Sequence, residues 1–99
     1  MLFFGDARIQ PGTDPAPYLE AEIAEVDRLM SAGFIRQLFR HLDGSGAILI
    51  IEAASLEDAR AGLQGLPFVQ HAIMRIPVTP IDERPHPSAA SSIPSPSDT

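Results

Sequence analysis

From Gly33 to Ala54 the chain reads as two strands around a polar reversal. Ala47 to Ile51 is apolar at every position, and a strand of that kind needs cover on both faces. Asp43-Gly44-Ser45-Gly46 supplies residues that accept positive φ, as a hairpin reversal requires. The preceding arm, Phe34 to Leu42, alternates less cleanly. Phe34, Arg36, Leu38 and Arg40 share one parity, and Ile35, Gln37, Phe39 and His41 share the other. Met1 to Ile9 is predicted as the first strand, with Gly5 marking a bulge or a close approach to the backbone. The last strand is expected over Val69 to Ile81, where Pro77 confines it to a sheet edge or a bulged position.

Helical spacing fills the gaps between these strands. Leu19, Ile23, Val26 and Met30, widened by Leu29, form one stripe of a helix predicted over Tyr18 to Ala32. Glu20, Glu25, Asp27 and Arg28 fall largely away from it. Pro15 and Pro17 suit a helix start, and Gly33 suits the left-handed position after the last turn. Ser55 is placed to cap a second helix, Leu56 to Gln64, with Asp58 three residues on as an acidic variant of the capping box. Leu66-Pro67-Phe68 reads as a rigid apolar connector. Gln10 to Pro17 is a loop by its prolines and glycine.

After Arg84 the composition changes to alternating Pro, Ser and Ala, the make-up of a disordered or extended tail. The expected organisation is therefore one domain over residues 1–83 and a tail over 84–99.

The order strand, helix, strand, strand, helix, strand predicts an α+β fold of the ferredoxin-like βαββαβ type. Its four-stranded antiparallel sheet carries both helices on one face. The other face stays bare. Ile48 and Ile50 point opposite to Leu49 and Ile51, so one pair faces water in a lone subunit. A second copy packing face to face is the simplest remedy, and the alternative is a monomer whose tail covers the sheet.

Composition narrows the function classes. The chain has 99 residues, 44% of them hydrophobic, and a formal net charge of -6. That charge argues against nucleic acid as a partner. With no Cys there is no thiolate nucleophile and no disulfide. All seven basic residues are Arg, which removes Schiff-base chemistry on a side-chain amine. No apolar run reaches the roughly 20 residues of a membrane span, and the start of the chain lacks a signal peptide's basic region. A cytoplasmic protein without membrane contact is the expectation.

Several stretches resemble the dimeric α/β-barrel superfamily, most of all muconolactone isomerase and its relatives. They are Gly33-Phe34-Ile35-Arg36, Leu38-Phe39-Arg40, Ser55 opening the second helix, Leu66-Pro67, Val78-Thr79-Pro80-Ile81 and His86-Pro87. The resemblance covers most of residues 1 to 87. It implies a small isomerase, without cofactor or metal, that moves a proton on a lactone and assembles into a homodimer or higher oligomer. Relatives on the fold include monooxygenases, dehalogenating enzymes and polyketide cyclases. The absence of Lys and the longer Ser/Pro tail depart from the isomerases.

The candidate chemistry rests on five residues. Arg36 and Arg40, four apart on a strand, share a face and present planar forks for a carboxylate or an enolate oxygen. Their plainer role is pairing with some of the thirteen acidic residues. His41, ending a strand beside the hairpin loop, and His71, beginning the last strand, are candidate bases. Glu52, at the end of the most apolar strand, is a candidate acid with a raised pKa. Asp6, inside the first strand, is open to the same reading, and the plainer role of either carboxylate is to pair with an arginine such as Arg36 or Arg8. Three histidines lack metal-ligand spacing, and no phosphate loop or dinucleotide fingerprint is present. The readings are a cofactor-independent isomerase or cyclase for a small unsaturated acid, a non-catalytic dimeric module binding a small ligand or partner, or a cofactor-free monooxygenase. An apolar cleft holding a buried acid, an Arg and a His together favours catalysis over simple pairing.

Overall fold

A computed structural model describes residues 1–84; the tail expected over 84–99 lies, apart from Arg84, outside the described residues. Strand β1 (Leu2–Ile9) occupies the sheet's interior and pairs antiparallel with β3 (Gly46–Glu52) from Leu2–Glu52 to Arg8–Gly46. β2 (Ile35–Arg40) pairs with β3 as one edge. The other edge is split into β4 (Met74–Arg75) and β5 (Val78–Ile81), both antiparallel to β1. The order β2-β3-β1-β4/β5 is that of a ferredoxin-like α+β sheet.

Pro77 explains the split. It has no N–H to give the ladder, so the edge strand buckles at Ile76–Pro77, and the Pro77 carbonyl accepts from Asp6 N–H at 3.1 Å. The buckle brings Ile76 over Gly5, where an added Cβ would stand 3.1 Å from Ile76 Cγ2. Gly5 thus marks a close approach, one of the two roles expected of it.

Helices α1 (Leu19–Ser31) and α2 (Leu56–Leu63) cover one face. The Ser55 hydroxyl accepts from Asp58 N–H at 3.0 Å, capping α2 as its sequence predicts. Gly33, at φ +82°, closes α1: Phe34 N–H donates to Leu29 O at 3.0 Å and Gly33 N–H to Met30 O at 3.1 Å. Between helices and sheet lies a core of Phe3, Leu29, Ile35, Leu49, Ile51, Ala59, Leu63 and Leu66. Phe3, Ile51 and Ala59 have no exposed surface at all. Burial of a side chain the size of Phe3 or Ile51 contributes about 1.5–3 kcal/mol.

Two expectations need correction. The stretch from Leu66 is not a connector followed by one long strand: Pro67–Gln70 forms a short helix, α3, with Pro67 at its first position. Ile73 N–H reaches back to Phe68 O at 2.8 Å, and Ala72 sits between at φ +58°. His71 therefore caps α3 and does not begin a strand. The second correction concerns α1. Leu19, Ile23 and Met30 are each more than two-fifths exposed, and the helix's buried residues are Glu22 and Leu29.

The helix-free face follows from the register. Phe4, Ile48 and Ile50 stand on it, with Phe39 beside Ile48 and 53% exposed. Leu49 and Ile51 are the pair turned into the core.

Candidate active site

α1, α3 and the inner face of the sheet enclose a cavity of about 530 Å³ near the β2–β3 hairpin. Ile23, Val26, Ile35, Leu49 and Phe68 give it apolar walls, and Glu22, Arg40 and His41 also line it, with exposed Asp27 at its rim.

Glu22 is the unusual member. It is 6% exposed, and its Oε1 accepts a 2.9 Å hydrogen bond from Phe68 N–H. That N–H belongs to the first turn of α3, where the helix itself offers no partner. Burial pushes the Glu22 carboxyl above the usual carboxylate range; the Phe68 bond opposes this and the Glu25 charge adds to it. No cation lies within ion-pair distance of Glu22 among the described residues. An acid so placed keeps a protonated fraction at higher pH than an exposed one.

Arg40 lines the same cavity and has no carboxylate within 4.0 Å among the described residues. Its partner in the sequence reading, Arg36, is on the other side of the sheet. A bulge places Ile35 opposite Ile51 and Gln37 opposite Ile50, leaving Arg36 as the extra residue. Parity shifts by one there, so Arg40 falls with Leu38 on the inner face. Arg36 instead donates to Glu52 Oε1 at 3.0 Å. The expectation that the two arginines share a face is thus overturned by the bulge.

Glu52 also bonds the N-terminal amine at 2.7 Å. That amine, together with the charge of Arg36, lowers its pKa despite partial desolvation, opposite to the raised value considered for a candidate acid. It takes the plainer pairing role, as does Asp6, whose Oδ1 accepts from Arg8 Nε at 3.0 Å. His71 is exposed and stacks on Tyr18, with ring centroids 3.9 Å apart and planes 16° from parallel. Arg36, Glu52 and His71 do not line the cavity; Arg40 and His41 do.

Glu22 was not among the residues singled out by sequence. Its signal is its position: Val26 is four residues on and Leu29 seven, so an acid stands inside the apolar face of α1. No group of three or more His, Asp or Glu side chains converges as a metal site among the described residues. A larger groove of about 690 Å³ runs along α2 and the split edge strand. It carries Arg60 and Arg75 but neither acid nor His, so it offers no proton-transfer group.

No family model and no curated protein matches the chain. Solved structures do. One is 5-chloro-2-hydroxyhydroquinone dehydrochlorinase from Burkholderia phenoliruptrix AC1100 in complex with 2,5-dihydroxybenzoquinone. It has a TM-score of 0.72 and 21% identity, over 85% of this chain and 96% of that one; this likeness concerns the fold. The chain has the α+β architecture of the dimeric α/β barrels. More particularly, it is muconolactone isomerase-like: the crystal structure of muconolactone isomerase matches with a TM-score of 0.69 and 26% identity, over 97% of this chain and 98% of that one.

Proposed function

We propose that the chain is a cofactor-independent isomerase that moves a proton on a small unsaturated acid or lactone. The observation that carries this reading is Glu22, a buried carboxyl facing an otherwise apolar cavity that Arg40 and His41 also line. Such a meeting of ionisable groups with apolar walls is what an active site needs and a filled core lacks.

The chemistry follows from the groups present. A C–H beside a carbonyl is weakly acidic. The Glu22 carboxylate takes that proton, and the C–H electron pair moves into the carbonyl, forming an enolate. The Arg40 guanidinium holds the enolate oxygen by charge-assisted hydrogen bonds. Glu22, now carrying that proton, delivers it to the far carbon of the conjugated system, and the double bond shifts. Glu22 is left as the carboxylate it began as, and the net change is isomerisation. The likeness to muconolactone isomerase supports a substrate of this class.

In the same reading, the chain works as a homodimer. Phe4, Phe39, Ile48 and Ile50 on the bare sheet face supply the apolar surface for a second copy.

Arg40→Ala and Glu22→Gln test the assignment in an isomerisation assay on candidate unsaturated lactones. Each is expected to lower kcat by about a hundredfold or more. Unchanged turnover in either variant, with an active parent, removes that residue's role.

A further inference from the structure

Two contacts fasten α3 to the start of α1. One is the 2.9 Å hydrogen bond from Phe68 N–H to Glu22 Oε1. The other joins Tyr18, at the N-terminal boundary of α1, to His71, at the C-terminal boundary of α3, their ring centroids 3.9 Å apart. Tyr18 stands four residues before Glu22, and His71 three after Phe68. The stack and the hydrogen bond therefore tie the same two turns together. Phe68 is engaged through both its backbone groups, since its carbonyl accepts from Ile73 N–H at 2.8 Å.

The Phe68 bond divides the two oxygens of Glu22. Oε1 is occupied. Oε2 has no hydrogen-bond partner among the described residues, yet it is not sealed: the unpartnered side-chain atom shut off from solvent there is His41 Nε2. The 6% of Glu22 that stays accessible thus includes Oε2, and Glu22 lines the cavity. An oxygen already accepting from an N–H holds a proton less well, so a substrate proton goes to the other.

We infer that His71 is a positioning residue for Glu22: stacked on Tyr18, it holds α3 where Phe68 N–H occupies Oε1, so that Oε2 carries the proton between substrate carbons. A C–H bond breaks as Oε2–H forms, and delivery to the far carbon restores the carboxylate. The catalytic half rests on the isomerase reading; the structural half stands on the geometry alone. The Phe68 bond opposes the burial that raises the Glu22 pKa, so losing it drives that pKa higher still. The other ionisable groups around the carboxyl are Glu25 on α1, Asp27 at the cavity rim, and Arg40 and His41 at the end of β2; the residues that β1, β3, β4 and α3 turn to the cavity carry no charge.

Carbon-13 spectra of the full chain follow the Glu22 carboxyl through its titration. In wild type the Phe68 amide proton is expected to shift with the same midpoint. In His71→Ala the midpoint is expected to move to higher pH, and the Phe68 amide to exchange with water about tenfold faster. Tyr18→Ala, which removes the stack from its other side, is expected to act alike. His71→Phe keeps a ring on Tyr18 and is expected to restore both readings. A wild-type Phe68 amide indifferent to the titration, an unmoved midpoint in either alanine variant, or no recovery in His71→Phe overturns the proposal. The wild-type spectra need no substitution, so poor folding of a variant does not shield the idea from refutation. In turnover, the acid limb of the His71→Ala kcat profile is expected to move to higher pH with its midpoint, the plateau being kept. A merely structural loss lowers the whole profile and leaves the midpoint in place, which contradicts positioning. A wild type inactive on every lactone removes the isomerase reading, while the titration still decides the role of His71.

Discussion

The Phe34 ring rests directly on the backbone of Gly62 in α2. A Cβ built on Gly62 overlaps the ring, coming within 2.9 Å of even its third-nearest atom. Replacing a helical glycine with alanine ordinarily stabilises by about 1 kcal/mol. Here the sign is expected to reverse. Gly62→Ala is predicted to cost about 1–3 kcal/mol through overpacking, read from the urea midpoint. Adding Phe34→Leu, which withdraws the ring, is expected to recover part of that loss; strict additivity contradicts the contact.

Ala72 occupies a left-handed position where glycine is the usual choice. An L side chain there costs about 1–2 kcal/mol. Ala72→Gly is therefore expected to raise the thermal midpoint, the relief of strain outweighing the added freedom of the unfolded chain. A lowered midpoint means that the packing of Ala72 matters more than its backbone angle.

Glu22 makes stability depend on pH with a definite sign. Burial raises its pKa in the folded chain, so the folded state binds this proton more tightly than the unfolded state. The resulting stabilisation is complete below the ordinary carboxylate pKa and is lost as pH rises through the raised value. As pH rises above the ordinary carboxylate range, wild type is expected to lose stability relative to Glu22→Gln, because a neutral amide has no proton to lose. Denaturation curves for the two proteins that stay parallel across that rise contradict the assignment.

Ile50 sits on the bare sheet face, paired with Phe4 and Gln37. In the proposed homodimer, Ile50→Arg places a charge in the apolar contact and is expected to halve the sedimenting mass. The helical content should stay as it is, since the core lies on the other face. A wild type that sediments as a single chain at high concentration contradicts the dimer outright.

Where hydrophobic spacing runs long enough to repeat, the sequence reveals the element. The two long helices, the hairpin and the broken edge strand are legible because each repeats its period or carries its own stop signal, such as Gly33, Ser55 or Pro77. The four-residue helix α3 is not, since one turn cannot show a 3.6-residue period. The bulge at Arg36 is also hidden. Nothing in Phe34 to Leu42 states that one residue is surplus, although its ragged alternation is the visible trace. That one residue misassigned the arginine pair. Arg40 and His41 were legible as candidates because their residue types are rare and their place at a strand end is evident. Glu22 is easily passed over because a helical acid is ordinarily solvated, although its place four residues before Val26 and seven before Leu29 sets it in the apolar face, and the packing of α3 then buries it.

The surplus residue at position 36 acts as a selector between two cations. Because it stands outside the ladder, Arg40 turns inward; pairing position 36 in regular register instead would transpose inside and outside for the rest of β2. In that regular pairing the cleft would lose its positive end with the amino-acid inventory unchanged. In a strand this short, counting residues matters as much to reactivity as choosing them.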